Sequence, residues 1–283
     1  MLRPFIYLSL PIVLGAVFSN RLAARLSDVD PVHWATTPIL AIVVWMIYTA
    51  DRLLDVRNST GAPIQTPLTT RHRFHADNAD LLWGAVGGLG AVGAILVFFL
   101  PPPVIRFGAV LGILCVAYVL AVYQLRDRHP ALTAKEPLVA LLFTAGIWGS
   151  IWVQRDPIGW PFKTQTLLFL GIAFQNLLLF SIFEQKEATR SVTTVSLATA
   201  WGLDRCDTIL RWLTLVIVVG ALIVCYTADD SGGGARFSQR ASLMLGIMSL
   251  ALYAMQRYPA YFLKNNRYRF LGDAVFWLPA LVL

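Results

Sequence analysis

Residues 81–105 read LLWGAVGGLGAVGAILVFFLPPPVI, with no charged side chain anywhere in the run. About 20 apolar residues of helix cross the roughly 30 Å hydrocarbon core of a bilayer, so this stretch is long enough to span one. Its glycines, Gly87-Gly88, Gly90 and Gly93 among them, fit a membrane helix, whose backbone bonds are satisfied internally and whose small residues let neighbours approach. Similar charge-free runs cover residues 4–20, 31–50 apart from His33, 107–125, 137–154, 164–183, 212–228 and 241–256. A shorter ninth run, about 268–283, holds Asp273. The runs are continuous instead of alternating, which disfavours a β-barrel. The first run, with a single Arg before it and no convincing processing site after it, is not expected to be a cleaved signal peptide.

Composition agrees with the runs. The 283 residues are 57% hydrophobic and 14% charged, against about 45–50% and about 25% in ordinary soluble domains. A soluble fold is excluded on this balance, as are disorder and a collagen-like chain. The expectation is one all-α, polytopic membrane domain over residues 1–283, with about nine transmembrane helices. If the N-terminus is cytoplasmic, most of the 23 Lys and Arg fall on that side, which places the C-terminus opposite by the positive-inside rule. Part of the +7 net charge is then topological. No basic, aromatic-interleaved soluble domain exists to bind nucleic acid, so the partner expected at the surface is the lipid bilayer. Cys115 and Cys225 lie inside apolar runs, and Cys206 is expected in a cytoplasmic loop; none has a CxxC partner. Trp45, Trp148, Trp152, Trp160 and Trp212 read as interfacial or packing residues.

The connections carry more chemistry than the spans. After the second run come Asp51-Arg-Leu-Leu-Asp55, and after the sixth come Glu184-Gln-Lys-Glu187. Residues three or four apart are neighbours on one helical face, so each pair projects two carboxylates from the end of a span. Two adjacent carboxylates repel unless a cation lies between them or they face water. Hard oxygen ligands of this kind suit Mg²⁺, which is typically held by one or two carboxylates together with substrate phosphates. Basic residues able to grip a diphosphate accompany the pairs: Arg71 and Arg73 after the first, Lys186 and Arg190 around the second, and Lys135 before the fifth run. Charges at helix ends also mark the interface and snorkel without further function. Two pairs on one side of the bilayer, each with basic neighbours, favour a shared site. Asp273 reads as a helix-end or packing residue pairing with Arg267 or Arg269.

This arrangement resembles the UbiA superfamily of intramembrane prenyltransferases, in which nine helices surround a cavity open to the cytoplasm. That family carries an NDxxDxxxD motif after the second helix and a DxxxD motif after the sixth. Asp51 and Asp55 match the last two acids of the first motif. Arg71 falls where the family's loop supplies an Arg, and Tyr123 with Lys135 matches its Tyr and basic residue between the fourth and fifth helices. Lys135-Glu-Pro137, leading to Gly146 and Gly149, is similar to the family's basic loop entering a Gly-containing helix; Thr193-Thr194 and Gly202 loosely match residues after the second motif. The chain departs from the pattern in two places. Ile47-Tyr48 stand where the family has Asn-Asp, and Glu184-x-x-Glu187 replaces DxxxD.

The resemblance implies a central cavity in which Mg²⁺, bridging Asp51, Asp55, Glu184 and Glu187, neutralises an isoprenyl diphosphate so that it departs as an allylic cation. Arg71, Lys135 and Arg190, with Arg73 and Lys186 nearby, would hold the phosphate oxygens. Tyr123 or Trp148 would face the carbocation. A lipophilic aromatic acceptor, such as a phenol or quinone precursor, would capture the prenyl group. Two alternatives stand beside this expectation: a terpene cyclase of the same superfamily, trapping the cation within its own chain, and a non-catalytic transporter or scaffold. Transport is disfavoured by the scarcity of mid-span charge and the lack of an inverted repeat.

Overall fold

The computed structural model describes residues 2–29, 32–60, 70–125, 135–155, 159–187, 195–228 and 235–283. In chain order the helices are α1 (Leu2–Tyr7), α2 (Leu10–Leu26), α3 (Thr36–Thr60), α4 (Thr70–Asp77), α5 (Ala79–Val97), α6 (Pro102–Leu125) and α7 (Lys135–Thr144), followed by α8 (Ser150–Trp152) and α9 (Trp160–Glu187). The remainder are α10 (Leu197–Trp201), α11 (Leu203–Thr227), α12 (Ala235–Arg257), α13 (Pro259–Leu263) and α14 (Arg267–Ala274). A π-helical turn, Ala145–Gly149, joins α7 to α8, and a 3-10 segment, Val275–Leu281, follows α14. No strand occurs among the described residues.

Four of these helices are long and apolar enough to cross a membrane: α5, α6 over Pro102–Gln124, α9 and α11. The other apolar runs of the sequence fall on α2, α3, the α7–α8 segment, α12, and α14 with its 3-10 continuation. The faces left open on the outer helices are apolar, including Ile95 on α5, Phe98 just after it, and Val110, Ile113 and Val116 on α6. Such a surface is unfavourable in water and matched to hydrocarbon, which supports a membrane protein.

Helix α9 lies at the centre. In its most apolar stretch 61% of residues are buried, against 11% for α5 and 6% for α6. It packs on α7, α11, α12 and α14. Buried glutamines stitch these helices together. Gln175 Nε2 donates to Thr214 Oγ1 on α11 (2.9 Å) and to the Ser249 carbonyl on α12 (3.2 Å), while Ser249 Oγ donates to Gln175 Oε1 (2.7 Å). Nearly three turns earlier, Gln165 Nε2 donates to Ser242 Oγ at 2.8 Å. Polar side chains in an apolar bundle hold helices together because the alternative is an unsatisfied group.

Two local features were not legible as elements. The π-helical turn frees a backbone carbonyl, as such bulges do, and Asn20 on α2 supplies the donor: its Nδ2 reaches the Ile147 carbonyl at 2.6 Å and Ser150 Oγ at 3.2 Å. Trp148 of this turn is completely buried, between Phe162 (ring centroids 5.1 Å) and Phe169 (5.5 Å). It is a core residue, whereas Trp160, at the start of α9, and Trp212, within α11, are exposed. Cys206 corrects the loop expectation. It is buried in the first turns of α11, its thiol directed at the Leu197 carbonyl (3.7 Å). A capping box at Ser196 and Thr199 starts α10, and Gly202, at φ 85°, lets the chain pass directly from α10 into α11.

Candidate functional site

Both acidic pairs sit on helices that outrun their apolar segments. Helix α3 continues beyond Ala50, and its buried Leu53 and Val56 hold one face of the extension against the protein, with Asp51 and Asp55 partly exposed beside it. Helix α9 likewise continues to Glu187. Its last buried residues, Ile182 and Phe183, anchor the turn that carries Glu184 and Glu187.

A third element, absent from the sequence expectation, completes the second pair. Asn265 and Asn266 adopt left-handed backbone conformations (φ 58° and 55°), which Asn tolerates better than most residues, and these turn the chain into α14. The first two residues that matter on α14 are Tyr268 and Arg269. Tyr268 is fully buried, edge-on to Phe180 (5.5 Å) and Phe183 (5.0 Å), and its hydroxyl donates to Glu187 Oε2 at 2.9 Å. Arg269 reaches Glu184 Oε1 with Nη1 (3.1 Å) and Glu187 Oε2 with Nη2 (3.9 Å). Its guanidinium lies 5.2 Å from the Tyr268 ring centroid. Gly272, one turn on, permits this approach, because a Cβ there would run into the Phe180 ring and come within 2.8 Å of Asn176 Oδ1.

Arg52 links the pairs. Its Nη1 lies 3.5 Å from Asp55 Oδ2, and its charge also acts on Asp51, Glu184 and Tyr48. Carboxylates more than 130 positions apart in the chain thus share one guanidinium field. Tyr48 lies in the electrostatic field of Asp273, Arg52 and Asp51. Tyr118 on α6 lies in the field of Asp51, Asp55 and Glu136. Glu136 is itself buried in the first turn of α7. Its Oε1 accepts from the Leu197 N–H (3.2 Å).

The remaining expected site residues are distributed as follows. Lys135 opens α7, half-buried, where its charge acts on Glu136; Lys186 and Arg73 are exposed. Tyr123 is 37% exposed on α6, while Tyr118, more than a turn earlier, is the α6 tyrosine in the field of the acids. The Arg71 side chain lies outside the described residues, as do Arg190, Thr193 and Thr194. Arg269 is committed to the glutamates instead of Asp273, and Arg267 lies over the Tyr261 ring at 4.5 Å.

Arg52, Tyr118, Tyr268 and Arg269 are the site residues that sequence reasoning missed. Arg52 was visible beside Asp51, but its charge counted toward topology. Tyr268 and Arg269 opened a run read as apolar.

The oxygen chemistry of the four carboxylates is suited to Mg²⁺, but they do not form one common ligand shell. Among the described residues no group of three or more His, Cys, Asp or Glu side chains is placed to hold a metal ion. The two pairs also differ. Asp51 has no ion-pair partner within 4 Å among the described residues, and Asp55 meets Arg52 at 3.5 Å. Glu184 and Glu187 both engage Arg269. An ion completed by phosphate oxygens and water fits the first pair. The bridging of all four acids expected from the motifs does not fit this geometry. No protein-family model matches the chain, and no curated protein or solved structure matches it.

Proposed function

We propose that the chain is an intramembrane prenyltransferase, one that ionises an allylic isoprenyl diphosphate at the cytoplasmic end of its helices and transfers the prenyl group to a lipophilic aromatic acceptor. What supports this reading is that Arg52, ion-paired with Asp55 at 3.5 Å, also feels the charges of Asp51 and Glu184, so acids from both helix ends act on one guanidinium. In this reading about nine spans enclose a central cavity, with the N-terminus inside and the C-terminus opposite.

Asp51 and Asp55 would hold Mg²⁺, which when bound supplies positive charge to a departing diphosphate. The chain's own groups do the rest. Lys135, Arg73, Lys186, Arg71 and Arg190 donate to the phosphate oxygens, whose charge grows as the carbon–oxygen bond breaks. Arg52 offsets the repulsion between the neighbouring carboxylates. The bond cleaves with its electron pair leaving on oxygen, so the allylic carbon becomes cationic. Tyr118 and Tyr48, close to the acids, present π faces and hydroxyls to that end of the cavity. Apolar helices around the isoprenoid tail exclude bulk water, so the acceptor's electron pair captures the carbon before hydrolysis does, and the alkylated acceptor then loses a proton to the released diphosphate.

Product analysis tests the assignment. Purified protein, Mg²⁺ and geranylgeranyl diphosphate are expected to give a prenylated product only when a phenolic acceptor is added. A cyclic hydrocarbon formed without acceptor would replace the transferase reading with cyclisation. Absence of any product from geranyl, farnesyl and geranylgeranyl diphosphates, across phenolic and quinone-type acceptors, would sink both.

A further inference from the structure

The four carboxylates are not equivalent. Glu187 Oε2 already accepts a hydrogen bond from Tyr268 and faces Arg269 Nη2, while Glu184 Oε1 takes Arg269 Nη1. One planar guanidinium therefore spans the pair, with two of its donors aimed at two different carboxylates. Arg269 does not reach this position by chance of a long side chain. Tyr268, next to it, is locked between Phe180 and Phe183, and Gly272 seats α14 directly on α9. The cation is thus held in place before any ligand arrives. A divalent ion entering here would have to shed water and displace a fixed charge that cannot be deprotonated. In the first pair a cation meets Asp55 alone, Arg52 at 3.5 Å, and Asp51 has none within ion-pair distance among the described residues.

We infer that Arg269 is the resident cation of the Glu184/Glu187 pair, taking the place of a divalent ion, so that the chain's metal requirement rests on Asp51 and Asp55 alone. The inference rests on the prenyltransferase reading, which supplies the metal, and assigns Arg269 as a positioning residue that ties α14 to the site. The second pair is then partly neutralised by a fixed side chain instead of by an ion.

Titration of the purified full chain with Mn²⁺, followed by the electron paramagnetic resonance signal of the free ion, counts the sites without reference to activity. Wild type is expected to bind one ion. Asp51→Asn with Asp55→Asn removes it, and Glu184→Gln with Glu187→Gln leaves it in place. Arg269→Gln, freeing the glutamates, is expected to raise the count to two, and adding Glu184→Gln and Glu187→Gln returns it to one. Arg269→Lys keeps the charge and stays at one. Two ions in wild type, one of them lost with the glutamate substitutions, would overturn the inference and leave the prenyltransferase reading standing. So would a folded Arg269→Gln variant, judged by circular dichroism, that still binds one. No bound ion in wild type would overturn the metal-dependent reading and the inference with it. Should Arg269→Gln fail to fold, the glutamate substitutions in wild type decide the matter by themselves.

Discussion

Replacing both Asp51 and Asp55 by Asn is expected to lower diphosphate turnover by at least ~10³-fold, because a single well-placed electrostatic group at a developing charge is commonly worth ~10²–10³ in rate. The pair sits one helical turn apart on the extension of α3, partly exposed, and Asp51 has no ion-pair partner among the described residues. Asn is nearly isosteric, and neither residue is part of the packed core, so the helix should persist. Leu53 and Val56 hold it regardless of the charges. The substitution also releases Arg52 from Asp55, with which it forms a partly exposed ion pair that adds little to stability. The expected signature is therefore lost turnover with unchanged helicity and unchanged detergent-solubilised thermal midpoint. A double variant with turnover near wild type would remove these aspartates from the chemistry.

The largest expected effect on stability lies at Tyr268. Its side chain is fully buried between Phe180 and Phe183, and truncating a buried aromatic to Ala typically costs roughly 3–5 kcal/mol. Tyr268→Ala should loosen α14 from α9 and free Arg269 from its stacked position, so that loss of thermal stability is accompanied by faster proteolysis near the Asn265-Asn266 turn. Tyr268→Phe keeps both aromatic contacts and gives up only the hydroxyl donated to Glu187, a net loss of about 1 kcal/mol. Midpoints measured in the same detergent separate packing from hydrogen bonding. Equal destabilisation by Phe and Ala would show that the Glu187 contact, not the aromatic sandwich, anchors α14.

Much of this was readable from sequence because membrane helices announce themselves by length and lack of charge. The run at 81–105 became α5 with the first turns of α6, and the run at 164–183 became the interior of α9. The acidic pairs were readable because three- and four-residue spacing survives any detail of packing, provided the helix continues past its apolar segment, as α3 and α9 do. The cations were not. An Arg at a membrane edge has the same sequence signature whether it snorkels, sets topology or pairs with an acid from another helix, so Arg52 and Arg269 dissolved into the charge count. Tyr118 and Tyr123 are both α6 tyrosines, and which of them faces the acids depends on helix rotation, which neighbouring helices decide. The π-helical turn at 145–149 escaped for a related reason: its stabilising partner, Asn20, comes from a different helix.

The central claim is ionisation of an allylic diphosphate at this end of the bundle. It is tested most directly by the release of inorganic diphosphate from geranylgeranyl diphosphate and, in parallel, from isopentenyl diphosphate, with a phenolic acceptor and either Mg²⁺ or EDTA. Only the allylic compound can delocalise the positive charge left on carbon. The account predicts Mg²⁺-dependent release from geranylgeranyl diphosphate, none from isopentenyl diphosphate and none in EDTA. Equal release from both compounds would indicate simple phosphate-ester hydrolysis, and release from neither would leave the acidic helix ends without the chemistry assigned to them.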